Sequence, residues 1–209
     1  ESAARIYARH GFVAIDPARA PTGSLAYIKP SLAADFEELQ AVYFASDHAT
    51  EVRSAHMGDR PKVDKLLHQA DAVNQMQGRW HRCFLAAAWQ DFVSMYHAVE
   101  DGRGTLDVLE TDERHVVGYA FAFNAGSPME VGNKVLDFLT HPDYLDHASE
   151  LLETTCEHTE ARSLRCYLPR TDARKIALLT SAGFRQEHAF ADYCDTSNGP
   201  VDLVVMAGE

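Results

Sequence analysis

Long apolar runs are absent from this 209-residue sequence. A transmembrane helix needs about 20 consecutive apolar residues, so no membrane span and no membrane partner are expected. Positive charge is also scarce, because 19 Lys and Arg residues stand against 31 Asp and Glu residues, for a net charge of −12. Nucleic-acid binding relies on Lys and Arg at the phosphates, so a nucleic-acid partner is not expected. A cationic or amine-bearing partner suits the acidic chain better.

Cysteine is infrequent, and histidine lacks the spacing of metal sites. The four cysteines are Cys83, Cys156, Cys166 and Cys194. They form no C-x-x-C pair, and they are too few for a disulfide scaffold. No basic, apolar leader follows Glu1, and we expect reduced thiols and a cytoplasmic location. The closest histidine cluster, Asp47 with His48 and His56, is interpreted as surface or capping residues, so no metal is predicted.

Hydrophobic periodicity changes from 3.6 residues to 2 near the middle of the chain. The first half predicts a short helix over 1–10, short strands over 12–15 and 25–29, and helices over 31–46 and 63–99, whereas segment 48–60 shows no clear period. The second half predicts strands over 106–109, 116–123, 135–139, 163–168, 184–193 and 201–206, with helices over 146–160 and 172–182. Strands that alternate with helices predict an α/β layered fold.

Three segments carry a family resemblance when they are read in order. They are "LAYIKPSLAADFEELQAVY", "VVGYAFAF", and "VLDFLTHPDY" followed by "ARKIALLTSAGF". The element order over residues 25–209 resembles that of the GNAT superfamily of N-acyltransferases. The resemblance implies a mixed, mostly antiparallel central sheet flanked by helices and splayed between its fourth and fifth strands. It also implies acetyl-CoA as a co-substrate.

In the family, the splayed strand edge pairs with the pantetheine amides, and the next helix N-terminus faces the pyrophosphate. The resemblance places cofactor contacts at the following residues: Leu139, Thr140, Asp146, His147, Ala148, Ser149 and Asp172. The chain departs from the family pattern, because it has no Gly, Arg or Lys between Asp143 and Glu160. Asp146 brings like charge to the phosphate position, which opposes binding. Alternatively, Asp146 is only an N-cap and the helix is only part of the core.

The catalytic residues implied by the resemblance are incomplete. The family often carries a Tyr acid four residues before a Gly-Phe pair, and here that position is Leu179. Asp137 on the fourth strand is a candidate general base for an amine, although a structurally paired carboxylate is the alternative. By strand alternation, one of Cys166 and Tyr167 is expected to face the cleft, although a packed core role is the alternative.

The N-terminal segment "SAARIYARHGFVAID" resembles the same last-helix motif. Tyr7 stands four residues before Gly11-Phe12, at the family's acid position, and is a second catalytic candidate. Self-similarity of this kind is expected from a tandem-domain parent. We therefore expect residues 1–24 to be the end of a preceding GNAT domain and residues 25–209 to form a second one. The alternative is a chance match.

Three functions follow from these features. The leading one is acetyl transfer from acetyl-CoA to a primary amine of a small molecule or peptide, with the helical segment 48–99 forming the acceptor site, a lid or a homodimer face. The second is a catalytically inactive GNAT-like domain that acts as a binding or regulatory module. The third is other chemistry on a CoA or carrier thioester.

Overall fold

The computed structural model describes residues 5–6, 9, 13–14, 27–28, 43–45, 48–72, 92–124, 132–196 and 199–208. The chain forms two compact units, Glu1–Ala45 and Ser46–Glu209. In the first unit, β1 (Val13–Ala14) pairs antiparallel with β2 (Tyr27–Ile28), which confirms both short strands. The helix predicted over 31–46 lies largely outside the described residues.

The second unit is built on a seven-stranded sheet in the order β3-β4-β5-β6-β7-β9-β8. The strands are β3 (Thr50–Ser54), β4 (Gly104–Thr111), β5 (Val116–Phe123), β6 (Lys134–Thr140), β7 (Leu164–Pro169), β8 (Arg185–Thr196) and β9 (Gly199–Gly208). The helices are α1 (Arg60–Ala72), α2 (Phe92–Glu100), α3 (Ala148–His158) and α4 (Ala173–Ser181), and two 3-10 helices span Met57–Asp59 and Pro142–His147. The element order predicted for the second half is confirmed, with bounds shifted by a few residues.

The opening strand of this sheet was assigned wrongly. The strand predicted over 25–29 exists, but it pairs with β1 in the first unit. The sheet begins instead with β3, in a segment where no element was predicted, and β3 pairs antiparallel with β4. Its sequence, TEVRS, has one apolar residue, Val52. An edge strand pairs on one side only and tolerates charged side chains, so its sequence carries no alternating apolar signal.

The core lies around β5. All eight residues of β5 are buried, and α1 and α3 both contact this strand. Helix α3 turns Ala148, Leu151 and Leu152 inward, each fully buried. A strand this apolar is typical of the centre of a sheet with both faces covered.

The Gly-Phe pair after α4 has a physical role in this packing. Gly183 has φ +89°, a left-handed conformation that glycine adopts without a Cβ clash and that commonly ends helices. Phe184 is 4% exposed. A Cβ on Gly208 would lie 2.9 Å from the Phe184 ring, so the glycine at the end of β9 makes room for that ring.

The sheet opens between β6 and β7. These strands run parallel and pair at only two positions, Lys134 with Leu164 and Val135 with Arg165. β7 then continues along β9 to its end, from Leu164 to Pro169. The remaining residues of β6 and β7 separate, which confirms the mostly antiparallel, splayed sheet expected from the resemblance. None of the described helices is long and apolar enough to cross a membrane.

Candidate active site in the strand gap

The gap between β6 and β7 is lined on one side by backbone groups of β6. The Lys134 N–H donates to the Ser163 carbonyl beside β7, whereas the His141 N–H donates to the Val117 carbonyl beside β5. The β5–β6 register runs without a shift. The N–H and C=O groups of successive residues alternate in direction along a strand. The backbone groups of the even-numbered residues of β6 therefore point into the gap.

This alternation separates two predicted cofactor contacts. Thr140 turns its backbone N–H toward the gap, and Leu139 turns its N–H toward β5. Thr140 is therefore the better placed of the two for a ligand carbonyl. The Thr140 Oγ1 atom is buried and lacks a hydrogen-bond partner among the described residues. It lies beside Gly118, where an added Cβ would be 3.2 Å away.

A lysine that was not among the predicted site residues occupies the gap. Lys175, in the first turn of α4, is 8% exposed. Its Nζ atom donates a hydrogen bond to the Phe138 carbonyl and lies 4.4 Å from the centroid of the Phe138 ring. It is 3.9 Å from Asp137 Oδ1. The ammonium thus has a backbone dipole, a carboxylate and an aromatic face around it.

Asp137 has the surroundings of a paired carboxylate. It is 2% exposed, with Lys175 near Oδ1 and the Tyr119 hydroxyl 3.5 Å from Oδ2. Cys166 is fully buried. Its burial raises the thiol pKa to about 12, while Lys175 lowers the pKa and Asp137 raises it. Cys166 therefore lies near this cluster but is fully buried, which agrees with a core role.

The loop predicted to face a pyrophosphate is a 3-10 helix rather than an open turn. His141 is its N-cap, and its Nδ1 accepts a hydrogen bond from the Asp143 N–H at 3.3 Å. Burial lowers the pKa of His141, an effect that Asp143 partly opposes. The Tyr144 ring is 1% exposed and fills the space inside this turn.

The 3-10 helix runs directly into α3. The Ala148 N–H donates to the Leu145 carbonyl, so this N–H at the start of α3 is not available to an anion. Asp146 is exposed, Ser149 is half-buried, and His147 Nδ1 pairs with Thr50 Oγ1 at 3.0 Å. The predicted cofactor residues at this end are together in space, but the Ala148 N–H and His147 Nδ1 already have partners within the chain.

The position on helix α4 where the family often carries a Tyr acid is Leu179, which has no proton to donate. Leu179 is fully buried. Asp172 is the N-cap of α4, and its Oδ1 accepts the Lys175 N–H at 3.2 Å, which satisfies one of the unpaired helix donors. Tyr7 lies outside the described residues, so its role stays a prediction.

A second charged cluster connects β3, β4 and the first 3-10 helix. Arg53 donates two hydrogen bonds to Asp59, at 2.8 and 2.7 Å, and two to Glu110, at 2.9 and 2.8 Å. Asp59 is 0% and Glu110 1% exposed. Lys62 adds a 2.7 Å bond to Glu110. His56 is the N-cap of this 3-10 helix, which agrees with its interpretation as a surface or capping residue.

A groove of about 600 Å³ lies at the opposite end of the sheet, beside the ends of α3, α4 and β9. Its lining includes Cys156, Phe184, Glu187 and Gly208. Cys156 is a free thiol, and burial raises its pKa to about 11. None of the predicted site residues lines this groove, so the strand gap remains the candidate site.

The fold matches that of solved acetyltransferases. A spermidine N-acetyltransferase from Vibrio cholerae in complex with CoA and spermine shares 12% identity at TM-score 0.58, covering 76% of this chain and 94% of that chain. A putative acetyltransferase from Salmonella typhimurium with its cofactor acetyl-CoA shares 15% identity at TM-score 0.62, covering 77% and 94%. A ribosomal-protein-S5-alanine acetyltransferase from Vibrio fischeri shares 9% identity at TM-score 0.57, covering 76% and 92%.

No protein-family model matches the sequence, and no curated protein sequence matches it. The sheet order, the parallel pair that separates and the structural matches together define the fold. The chain has the GNAT acetyltransferase fold. At these identities the likeness concerns the fold, and the chemistry must be argued from the residues of the gap.

Proposed function

We propose that the protein is an N-acyltransferase that carries an acetyl group from acetyl-CoA to a primary amine of a small molecule or peptide. The observation that carries the proposal is the gap between β6 and β7, into which Phe138 and Thr140 turn their backbone N–H and C=O groups. An extended pantetheine arm can pair with such an edge as an added strand does. The net charge of −12 favours a cationic acceptor.

The residues of the gap fit the pantetheine arm, and those of the loop do not fit a pyrophosphate. When bound, the thioester supplies the activated acyl group. The Thr140 N–H is placed to polarise a carbonyl at the edge of β6, and Asp137 is the residue of the gap that can take a proton from an amine. At the loop, the Asp143 and Ala148 N–H groups are already bonded, and Asp146 adds negative charge. The diphosphate therefore contributes little to binding.

A ligand titration tests this proposal. Acetyl-CoA and acetyl-pantetheine are expected to raise the thermal midpoint alike, with affinities within about tenfold of each other, since a tenfold ratio corresponds to about 1.4 kcal/mol. A ligand at 100 times its Kd adds about 2.7 kcal/mol of stability. ADP, which lacks the pantetheine arm, is the control and should cause no shift. An absence of any shift with millimolar acetyl-CoA and acetyl-pantetheine would sink the proposal.

The second candidate is a GNAT-fold module without catalysis. It is favoured by Leu179, which cannot donate a proton, and by Lys175, which already occupies the gap. Release of free thiol from acetyl-pantetheine in the presence of polyamines, amino acids or peptides separates the two. If acetyl-pantetheine binds but none of the acceptors causes thiol release, the result supports the module without catalysis.

We also propose that the Glu1–Ala45 unit is the closing part of a preceding domain of the same fold. The order of a helical segment, Gly11-Phe12, β1 and antiparallel β2 repeats the order of α4, Gly183-Phe184, β8 and β9. This hairpin extends past the expected boundary at Leu25. The compact unit ends at Ala45.

The division at Ala45 predicts that residues 46–209 fold alone. The fragment should unfold in one cooperative transition, with a stability within about 1 kcal/mol of the same unit in the full chain, because the sheet and its helices lie within it. Urea unfolding followed by tryptophan fluorescence and circular dichroism measures this. A fragment starting at Ala55, which lacks β3 and Arg53, is the control and should be unfolded or strongly destabilised. If 46–209 behaves like that control, the division is wrong.

A further inference from the structure

We propose that Lys175 is an internal latch of the strand gap: its ammonium holds the Phe138 carbonyl, and a pantetheine-bearing donor binds only when this side chain moves out. The inference rests on the proposed function, because it concerns the same gap. It adds a determinant of affinity that the family resemblance does not supply.

The contacts of Lys175 make it a substitute for a ligand at this edge. The Phe138 carbonyl faces the gap where the β6–β7 ladder has ended. An unpaired buried carbonyl there is costly, and Lys175 Nζ satisfies it. The amide of an extended ligand would satisfy the same carbonyl. Both donors cannot occupy one position, so the lysine and the ligand exclude each other.

The position of Lys175 on α4 allows it to leave. Its backbone lies in the first turn, and the neighbouring Ala173 and Arg174 are exposed. A lysine has a flexible four-carbon stem and a strongly hydrated ammonium, so a rotamer change can carry Nζ to water. The opposing cost is Asp137, which is 2% exposed and loses a nearby positive charge when Lys175 leaves.

Removal of the Lys175 side chain should therefore increase the affinity of the protein for a pantetheine-bearing ligand, provided that Asp137 is not left charged and buried. We would use the double variant Asp137→Asn with Lys175→Met, because Lys175→Met alone risks unfolding. Because the ligand no longer competes with a charged hydrogen bond to the Phe138 carbonyl, the double variant should bind acetyl-pantetheine at least about tenfold more tightly than the wild type. Isothermal calorimetry measures the affinities.

The matched control is Arg174→Met, which removes a positive charge from the neighbouring position without touching the gap. Its affinity should equal that of the wild type. Equal, measurable affinities of the wild type and the double variant would overturn the latch and leave the proposed function standing. If neither protein binds acetyl-pantetheine or acetyl-CoA at millimolar concentration, the latch and the proposed function both fail.

Reductive methylation gives a second readout, independent of affinity. In the wild type, Lys175 should methylate slowly, and saturation with a thioether analogue of acetyl-CoA should make it methylate severalfold faster by mass spectrometry. Lys62 lies away from the gap, and its Nζ donates a 2.7 Å hydrogen bond to Glu110. Its methylation rate should not change. A bound analogue with no change at Lys175 contradicts the latch even if the affinities agree with it.

Discussion

Replacement of Arg53 with Met is expected to lower the free energy of unfolding by about 3–5 kcal/mol, the usual cost of removing one partner from a buried ion pair. Asp59 is 0% and Glu110 1% exposed, and Arg53 bonds both through four hydrogen bonds. These bonds are also the main cause that lowers the pKa of Glu110. Without Arg53, Asp59 keeps the His56 N–H at 2.9 Å and Lys62 Nζ at 3.9 Å, whereas Glu110 keeps its bonds from Lys62 and Arg114.

Urea unfolding measures this loss, and Arg165→Met is the matched control. Arg165 makes two bonds of 2.7 and 2.8 Å to Glu187, but their side chains are 22% and 45% exposed. Such surface pairs contribute about 0–1 kcal/mol. A loss of less than about 1 kcal/mol in Arg53→Met would mean that the cluster does not hold β3 to the sheet.

The role of Arg53 also explains why β3 escaped prediction. Apolar periodicity detects strands with a buried face. Besides its backbone pairing with β4, β3 has one apolar side chain, Val52, and the bonds of Arg53. Its charged neighbours, Asp59 and Glu110, lie 6 and 57 residues away along the chain. A pattern within one short window cannot show that these groups meet.

The candidate site also depends on contacts that the sequence does not show. The splayed sheet was predictable, because the order of the strands and helices resembles that of the GNAT superfamily and the resemblance implies the splay. Lys175 was not, since one lysine on a short amphipathic helix usually lies at the surface. A signal was present, because Lys175 lies one turn before Leu179 and three residues after the N-cap Asp172, on the face that turns inward. Its contact with Phe138 depends on tertiary structure.

The phosphate loop could be predicted in its chemistry but not in its geometry. The lack of Gly, Arg and Lys between Asp143 and Glu160 already opposed binding of a diphosphate. The sequence was also consistent with an α-helix from residue 146. The buried Tyr144 ring and the His141 cap instead favour a 3-10 helix over Pro142–His147. Lys175 thus occupies the gap, and a 3-10 helix leads into helix α3 in place of an open loop.

Acid is expected to destabilise the protein in two stages. Burial lowers the pKa of His141, so as the pH falls below about 6.5 the unfolded chain takes up a proton that the folded chain resists. Stability from this residue is therefore present above pH 6.5 and lost as the pH falls through the lower pKa of the folded state.

The second stage comes from the buried carboxylates. The Arg53 bonds lower the pKa of Glu110 despite its burial. Burial alone would raise the pKa of Asp59, but bonds from Arg53 and the His56 N–H leave it lowered. The stability that these two carboxylates contribute is complete above about pH 4.3, the pKa of a glutamate in the unfolded chain. It is lost at lower pH, and a carboxylate held in this way contributes on the order of 2 kcal/mol.

Urea midpoints measured from pH 8 to pH 3 should therefore stay level above pH 6.5 and fall below it, with a steeper loss below pH 4.3. His141→Gln should remove the first stage only, and Glu110→Gln should flatten the second. Glu187→Gln, on the exposed strand β8, should leave both unchanged. A profile of Glu110→Gln that matches the wild type at low pH would mean that other carboxylates govern acid unfolding. The Arg53 cluster would then stabilise β3 by packing rather than by charge.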